Sequence, residues 1–297
     1  MSASDAFAGF ATARVAVPEV TIHVRHGGNG PPVLLLHGYP QTHFIWRKIA
    51  PRLAERFTVV APDLRGYGAS DKPHGLADHS NYSKRTMATD LVALMRELGF
   101  ERFAVAGHDR GGRVAHRLAL DHPERVERLA VLDIVPTLEM YERTTREFAQ
   151  AYYHWFFLIQ PEPFPERLIA GDTEAFLRHH MGGRFAGLGP FGDGAFEHYL
   201  EHFRDPATIH ATCEDYRAAA SIDLAHDRAD RGRRKIACPL LALWGAHGVI
   251  ERCFDPLADW AAYAGGRVQG APVDCGHYLP EERPDEVGAA LARFFGE

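Results

Sequence analysis

The sequence predicts an α/β protein with a mostly parallel sheet flanked by helices and one helical insertion. Short apolar runs alternate with segments of helical spacing along residues 1–136, a pattern typical of parallel strands connected by helices. From about Thr137 to Arg231 the alternation stops, and aromatic-rich, helix-like segments are broken by glycine and proline. The alternation resumes at Ile236. We therefore expect a core of residues 1–136 and 232–297 and a helical cap of residues 137–231.

The individual elements follow from hydrophobic spacing and from turn residues. Short apolar runs bounded by turn residues predict the buried strands, which are Val33–Leu36, Phe57–Ala61, Phe103–Ala106, Leu129–Leu132 and Leu240–Trp244. Helical spacing predicts Met87–Leu98, which ends at Gly99, and a helix that includes Arg113–Leu120. The carboxyl ends of such parallel strands are where ligands bind in open α/β sheets, and the insertion would cover them.

Composition excludes several classes of function. A formal charge of −6 argues against nonspecific nucleic-acid binding. No apolar run is long enough to span a bilayer, and the N-terminal residues lack the pattern of a signal peptide. The four cysteines are scattered, which suggests neither a zinc site nor a disulfide framework. We therefore expect a soluble cytoplasmic protein.

The segment VAGHDRGGRV, residues 105–114, has the pattern of a nucleophile elbow with an unusual central residue. Gly107 and Gly111 flank Asp109 in a Gly-x-nucleophile-x-Gly pattern, which follows an apolar strand and precedes a helix. This strand–turn–helix context is the one that an elbow requires, although serine is the usual nucleophile there. The alternative is a glycine-bounded turn in which Asp109 caps a helix.

Two further segments, together with a catalytic acid, complete a catalytic set. His37-Gly38-Tyr39-Pro40 follows the first buried strand, where a backbone amide can stabilise an oxyanion together with the amide after the nucleophile. Those amides are the N–H groups of Tyr39 and Arg110. Near the end of the chain, the Gly-His pair at His277 has the position of the catalytic base. The predicted order is nucleophile, acid, base.

The catalytic acid has two possible positions. The loop after Leu240–Trp244 often carries it, but that loop has no carboxylate before Glu251. Asp133 follows the strand Leu129–Leu132, and we assign the acid to Asp133. Its alternative role is to cap a turn or a helix.

An aspartate nucleophile implies displacement at saturated carbon. A carboxylate can attack carbon bearing a halide or an epoxide oxygen, which gives an alkyl ester on Asp109. His277 would then activate a water that hydrolyses the ester, with Asp133 orienting the histidine. Arg110 and Arg113, at i and i+3, would share a helix face and suit an anionic substrate such as a carboxylate. The alternative for Arg113 is a solvent-facing side chain or one paired with a nearby acid.

Three side chains of the insertion could bind a leaving halide. His154, Trp155 and Tyr216 can each donate an N–H or O–H. Three converging donors would stabilise the developing charge, most of all on fluoride. The alternative is that the aromatic residues around Trp155 only pack the cap.

These motifs together resemble those of the fluoroacetate dehalogenases, which are haloacetate dehalogenases with the α/β-hydrolase fold. The resemblance spans nearly the whole chain and rests on HGYP, PDLRGYGAS, GHDRGG, VLDIVPT, YHWFFL, Tyr216 and CGHYLPEE. It implies that Asp109, Asp133 and His277 are catalytic, that Arg110 and Arg113 bind the substrate carboxylate, and that His154, Trp155 and Tyr216 bind the halide. It also implies a homodimer with neither a metal nor an organic cofactor.

Two alternatives stay open from the sequence. An epoxide hydrolase shares the aspartate nucleophile and needs cap tyrosines, which Tyr152, Tyr153 and Tyr216 could supply; Arg110 argues against it. A non-catalytic binding protein on the same fold is an alternative from another class. Retention of Asp133, His277 and HGYP counts against that alternative.

Overall fold

The computed structural model describes residues 6–297. Its single eight-stranded sheet has the order β1-β2-β4-β3-β5-β6-β7-β8. The pairs β1/β2 and β2/β4 are antiparallel and the other pairs are parallel. The strands are β1 Ala11–Ala16, β2 Thr21–Gly27, β3 Pro32–Leu36, β4 Thr58–Pro62, β5 Phe103–His108, β6 Val126–Leu132, β7 Leu240–Gly245 and β8 Val268–Val273.

Helices account for most of the remaining regular structure. Those up to residue 121 are α1 Ala50–Leu53, α2 Lys84–Glu97 and α3 Arg110–Asp121. They are followed by α4 Thr137–Glu142, α5 Arg146–Ala151, α6 His154–Phe157, α7 Phe164–Gly171, α8 Thr173–Gly182, α9 Ala195–Phe203, α10 Pro206–Ala220 and α11 Ile222–Asp230. The last are α12 Val249–Cys253, α13 Pro256–Tyr263, α14 Leu279–Glu282 and α15 Pro284–Gly296. Short 3-10 helices lie at His43–Trp46, Ser80–Tyr82 and Gly189–Phe191.

The predicted α/β class is confirmed, with differences at the edges of the sheet. The five predicted strands match β3 to β7 with shifted ends. Strands β1, β2 and β8 were not predicted from the sequence. In β1 and β8 most side chains are exposed or only partly buried, so neither strand has the continuous apolar run of a central parallel strand. Each regular element between Thr137 and Asp230 is helical; the division into core and cap stays a proposal.

Five parallel strands bring their following loops to one edge of the sheet. Strands β3, β5, β6, β7 and β8 run parallel, so their carboxyl ends lie together. These ends lead to Gly38, Asp109, Asp133, Ala246 and Asp274 respectively. Strands β3, β5, β6 and β7 are packed with buried Val, Leu and Ala side chains. Within residues 6–297, no helix combines the length and the apolar character that crossing a membrane requires.

Candidate active site

Asp109 lies in the sharp turn between β5 and α3. Its φ of 46° and ψ of −113° are strained values for a residue with a side chain. Glycines allow the close packing around it: a Cβ on Gly38 would lie 2.6 Å from the Asp109 Cβ, and one on Gly107 would lie 2.4 Å from the Gly111 carbonyl oxygen. Asp109 is only 3% exposed. The close packing around this turn is therefore the reason for glycine at these positions, as the motif predicts.

A backbone amide holds one oxygen of the Asp109 carboxylate. The Tyr39 N–H donates to Oδ1 over 3.1 Å. The His37 ring stabilises this turn, because its Nε2 accepts from the Leu64 N–H over 2.9 Å and its Nδ1 lies 3.0 Å from the Gly38 oxygen. Among residues 6–297, the Arg110 N–H makes no hydrogen bond to the carboxylate, so its part in an oxyanion hole stays a prediction.

Asp133 and His277 form a buried pair beside Asp109. Oδ2 of Asp133 lies 2.6 Å from Nδ1 of His277, and Oδ1 accepts the Gly245 N–H over 2.9 Å. Gly245 ends β7, so the loop that often supplies the acid here supplies a hydrogen bond to Asp133. This pairing holds the Nδ1 proton and leaves Nε2 of His277 as the free nitrogen.

His108 is a positioning residue that the sequence reading did not identify. Its Nε2 donates to the backbone oxygen of His277 over 2.7 Å. Burial is the largest influence on His108, and with the nearby His277 ring it lowers the His108 pKa to about 4. The His108 ring is therefore neutral at pH 7, and its hydrogen bond anchors the loop that carries His277.

The surroundings of Asp109 keep it ionised. Burial alone would raise its pKa, but the charges of His277 and Arg113, with smaller effects of His108 and Arg110, outweigh burial and lower the pKa to about 2. The carboxylate is therefore charged at neutral pH, as a nucleophile must be.

Arg110 is already engaged with an acid that the sequence reading missed. Its Nε and Nη2 each lie 2.9 Å from an oxygen of Asp215, and Nη2 also donates to the Asp215 backbone oxygen over 2.8 Å. Lys84 and Tyr67 also donate to this carboxylate. Among residues 6–297, Nη1 is the one nitrogen of the Arg110 guanidinium that has no hydrogen-bond partner. Arg110 can therefore offer one N–H donor group, and not a free bidentate fork, to a substrate.

Arg113 is buried without a carboxylate partner among the described residues. Its Nη1 donates to Val135 O over 3.2 Å and to Thr137 Oγ1 over 3.0 Å, while Nη2 lies 3.1 Å from the Met140 sulfur. Its Nε has no partner. In the structure, Arg113 is therefore neither exposed to solvent nor paired with an acid among the described residues. Burial lowers the pKa of Arg113, and the nearby charge of Asp109 opposes this effect.

The three candidate halide donors lie close together and are buried. The rings of His154 and Tyr216 are 5.7 Å apart, and those of Trp155 and Tyr216 are 6.3 Å apart. His154 Nδ1, Trp155 Nε1 and the Tyr216 hydroxyl are all buried without a hydrogen-bond partner among residues 6–297. Buried polar atoms normally have partners, so this cluster has the properties of a ligand site. Packing alone does not account for it.

The same aromatic rings stack on the two arginines. The Arg110 guanidinium lies 4.0 Å from the Tyr216 ring centre, and that of Arg113 lies 4.6 Å from the Trp155 ring. Burial lowers the pKa of His154 well below its usual value, and the charge of Arg184 adds to this effect. His154 is therefore neutral, with one N–H to donate.

Of the three tyrosines considered for an epoxide, two face the site. The Tyr152 hydroxyl lies 3.3 Å from Nδ1 of His277. Tyr216 lies near Asp109: burial raises the pKa of Tyr216, and the charge of Asp109 adds to this effect. Tyr153 is half-buried, with its ring 5.9 Å from that of His179. The structure thus leaves Tyr152 and Tyr216 as possible proton donors.

Two groups of side chains outside this site have metal-ligand spacing, namely His23, His43 and Asp63, and His74, Glu162 and His210. In the first group, Asp63 already accepts hydrogen bonds from both rings and from two backbone amides. In the second, the Gly75 N–H donates to Nε2 of His210, so the proton of the neutral ring is on Nδ1, which faces Glu166 at 3.5 Å. Hydrogen bonding accounts for the first group, and in the second Nδ1 of His210 has carboxylate neighbours at ion-pair distance.

Comparison with known proteins identifies the fold family. A family model described as the alpha/beta hydrolase fold matches residues 31–284. The α/β-hydrolase fold predicted from the sequence is therefore confirmed. A candidate α/β hydrolase from Nostoc sp. PCC 7120 has a crystal structure that superposes with a TM-score of 0.93 at 54% identity, covering 97% of this chain and 98% of the other.

Two curated enzymes of known name are similar over nearly the whole chain. A fluoroacetate dehalogenase from a Burkholderia species is 46% identical over 292 residues, which is 98% of this chain and 95% of the relative. A soluble epoxide hydrolase from a Corynebacterium species is 34% identical, covering 92% of this chain and 93% of the relative. The resemblance to fluoroacetate dehalogenases is therefore confirmed at the level of the family.

Proposed function

The chain belongs to the α/β-hydrolase family, and we propose that it is a haloacetate dehalogenase whose substrates include fluoroacetate. The observation that carries this proposal is the surroundings of Asp109: an ionised carboxylate, held by the Tyr39 amide, beside three buried donors without partners and two buried arginines. A carboxylate substrate needs the cations and a leaving halide needs the donors. The fluoroacetate dehalogenase relative supports the same substrate class.

The first step is displacement of the halide by Asp109. One carboxylate oxygen attacks the CH2 carbon, the carbon–halogen bond breaks, and the halide leaves with the bonding electrons. The oxygen held by the Tyr39 amide, Oδ1, is assigned as the one that stays a carbonyl, so Oδ2 forms the ester. Tyr216, Trp155 and His154 donate hydrogen bonds to the departing halide.

The second step is hydrolysis of the ester on Asp109. Nε2 of His277 takes a proton from water, and the hydroxide adds to the Asp109 carboxyl carbon. The Tyr39 amide and the predicted Arg110 amide stabilise the oxyanion. When the intermediate collapses, the glycolate oxygen takes the proton from His277, and the regenerated Asp109 carboxyl group loses its proton to solvent. Asp133 stabilises the charged histidine throughout.

The substrate carboxylate is assigned to Nη1 of Arg110 and Nε of Arg113. In these two guanidinium groups, they are the buried nitrogens that have no hydrogen-bond partner among residues 6–297. This modifies the sequence expectation of two free forks, because Asp215, Val135 and Thr137 already occupy the other nitrogens. The site would then grip a carboxylate with one N–H donor group from each arginine.

Halide release from purified protein tests the proposal. Fluoroacetate and chloroacetate are supplied separately, and free fluoride and chloride are measured with ion-selective electrodes. We expect both halides from the wild-type protein and neither from Asp109→Asn, which keeps the shape of the side chain. Release of chloride alone would leave Asp109 in its role but remove fluoride from the substrate range. Release of neither would reject the dehalogenase.

An epoxide hydrolase is the second candidate. The Corynebacterium relative and the hydroxyls of Tyr152 and Tyr216 favour it. Against it, Arg110 and Arg113 place two buried cations where a neutral epoxide would gain nothing from them. Diol formation from a small epoxide, without halide release from haloacetates, would establish this candidate.

A non-catalytic binding protein is the candidate from another class. Its discriminator is alkylation, because only a nucleophilic Asp109 acquires a covalent group from a haloacetate. The expected homodimer and cytoplasmic location stay predictions, which analytical ultracentrifugation and cell fractionation would check.

A further inference from the structure

A pocket of about 360 Å³ opens onto the candidate active site through His277. Its lining includes Arg184, Phe185, His247, Arg252 and Gly276. The pocket contains several cationic or titratable basic groups but no carboxylate in its lining. An anion that reaches His277 through this pocket would therefore pass basic side chains.

Arg184 differs from the other basic residues of the pocket because it has no acidic partner. Arg252 pairs with Glu147 at 2.9 Å, and His247 pairs with Asp274 at 2.8 Å. Within residues 6–297, no carboxylate oxygen lies within 4.0 Å of the Arg184 nitrogens. Its guanidinium lies 4.6 Å from the centre of the Tyr152 ring, and the Tyr152 hydroxyl is 3.3 Å from His277. The Tyr152 ring therefore lies between Arg184 and His277.

The position of Arg184 is fixed by its neighbour. Phe185 stacks on the His247 ring with centroids 4.2 Å apart and an interplanar angle of 13°. Its Cβ also lies close to Gly276, where an added Cβ would be only 2.8 Å away. The segment that carries Arg184 therefore packs directly against the loop that carries His277.

The other cations around Asp109 are offset by carboxylates. Arg110 is balanced by Asp215 at 2.9 Å, and Lys84 lies 3.6 Å from Asp223. Arg113 and Asp109 offset each other across the site. Arg184 has no carboxylate oxygen within 4.0 Å among residues 6–297. Burial would lower the pKa of Arg184, but Tyr152, Tyr278 and Asp109 raise it. An anion at Arg184 would therefore meet a cation that no carboxylate of the described residues contacts.

We propose that Arg184 forms a second anion-binding site at the mouth of this pocket, separate from the one assigned to Arg110 and Arg113. Its ligand is a monovalent anion, which during turnover is first the carboxylate of an incoming haloacid and then the released halide. The inference rests on the proposed function for these two ligands, whereas the anion site itself does not depend on turnover.

The kinetic test uses Arg184→Met, which keeps a long apolar side chain, and Arg184→Lys, which keeps the charge. Arg178→Met is the matched control, because Arg178 is an exposed arginine of α8 that pairs with Glu174. We expect Arg184→Met to raise the KM for chloroacetate and the inhibition constant of added bromide by about tenfold each. Arg184→Lys should recover most of this effect, and Arg178→Met should match the wild type.

The two constants separate the two sources of the anion. A change in KM alone would assign the site to the substrate carboxylate, and a change in the bromide constant alone would assign it to the halide. No change in either constant would overturn the proposal. Equal changes in Arg184→Met and Arg184→Lys would also overturn it, since they would indicate packing and not charge.

A direct measurement keeps this inference distinct from the proposed function. Crystals of the wild-type protein are soaked in sodium bromide and the bromide positions are found by anomalous scattering. We expect a peak beside the Arg184 guanidinium that is absent from Arg184→Met. Bromide only beside Trp155 and Tyr216 would overturn the inference while supporting the halide site. A peak at Arg184 in a protein that releases no halide from haloacetates would support the anion site and reject the dehalogenase.

Discussion

The proposed catalytic residues at the strand ends and the proposed halide donors of the insertion differ in how their polar atoms are satisfied. In the strand-end group (Asp109, Asp133 and His277), hydrogen bonds from Tyr39, Gly245 and His108 fix each residue or its loop. In the insertion group (His154, Trp155 and Tyr216), one polar atom of each side chain is buried and unpartnered among the described residues. The first group is preorganised for proton transfer and nucleophilic attack. In the second group, the donors without partners are available to a ligand.

The largest expected effect comes from breaking the hydrogen bonding of the strand-end group. Asp133→Asn should lower turnover of chloroacetate by about 10⁴-fold, because an amide NH2 beside Nδ1 would favour the wrong tautomer of His277. Alkylation of Asp109 does not need that histidine, so one equivalent of halide should still be released rapidly. Rapid-quench measurement of halide in the first turnover separates the two steps. Loss of this burst would show that Asp133 is needed for alkylation as well.

The next largest effect is expected from substitutions that remove donors from the insertion group. Tyr216→Phe and Trp155→Phe should each lower fluoride release by about 100-fold, because a strongly accepting leaving group loses one donor. Chloride release should fall by about tenfold or less, since chloride accepts hydrogen bonds less strongly. Parallel kcat values for the two substrates give the ratio. Tyr82→Phe is the control, because the Tyr82 hydroxyl bonds to Pro73 away from the site. Equal losses for both halides would assign these side chains to packing.

A smaller effect is expected at the arginine that lies between the two groups. Arg113→Lys should raise the KM for haloacetates by about tenfold, because lysine keeps the charge but loses the Nε donor and the planar stacking on Trp155. Initial rates over a range of chloroacetate concentrations, with circular dichroism to check folding, measure it. An unchanged KM would move the substrate carboxylate away from Arg113.

The smallest effect is expected where only the backbone has a role. Tyr39→Phe removes a hydroxyl that is buried without a partner, but it keeps the amide that holds Asp109. Turnover of chloroacetate should change by less than about twofold. A large loss would show that the hydroxyl belongs with the insertion group and contacts the ligand.

The strand-end group could be predicted from the sequence because its geometry is encoded locally. Glycines 107 and 111 and a buried strand define the turn at Asp109, and chain order assigns the acid and base. The central strands were also predictable, since burial on both faces requires continuous apolar runs. The edge strands β1 and β8 were not, because much of their length is exposed and β8 contains glycine and proline.

The pairing of charges across the site could not be predicted from the sequence. Asp215 and Lys84 are separated from Arg110 by 105 and 26 positions respectively, and charged residues on helices are usually solvated. Arg184 lies in a glycine-rich segment of the insertion that matches no motif quoted above. Its relation to His277 depends on how that segment packs against the last loop, which local spacing does not encode.

The covalent intermediate is the central claim, and His277→Ala tests it most directly. The variant is incubated with fluoroacetate and examined by intact-mass and peptide mass spectrometry. Without a base to activate water, the ester should accumulate, so we expect one carboxymethyl group per chain, located on Asp109. Asp109→Asn/His277→Ala should carry none. An unmodified His277→Ala protein, under conditions in which the wild type releases fluoride, would contradict the two-step mechanism.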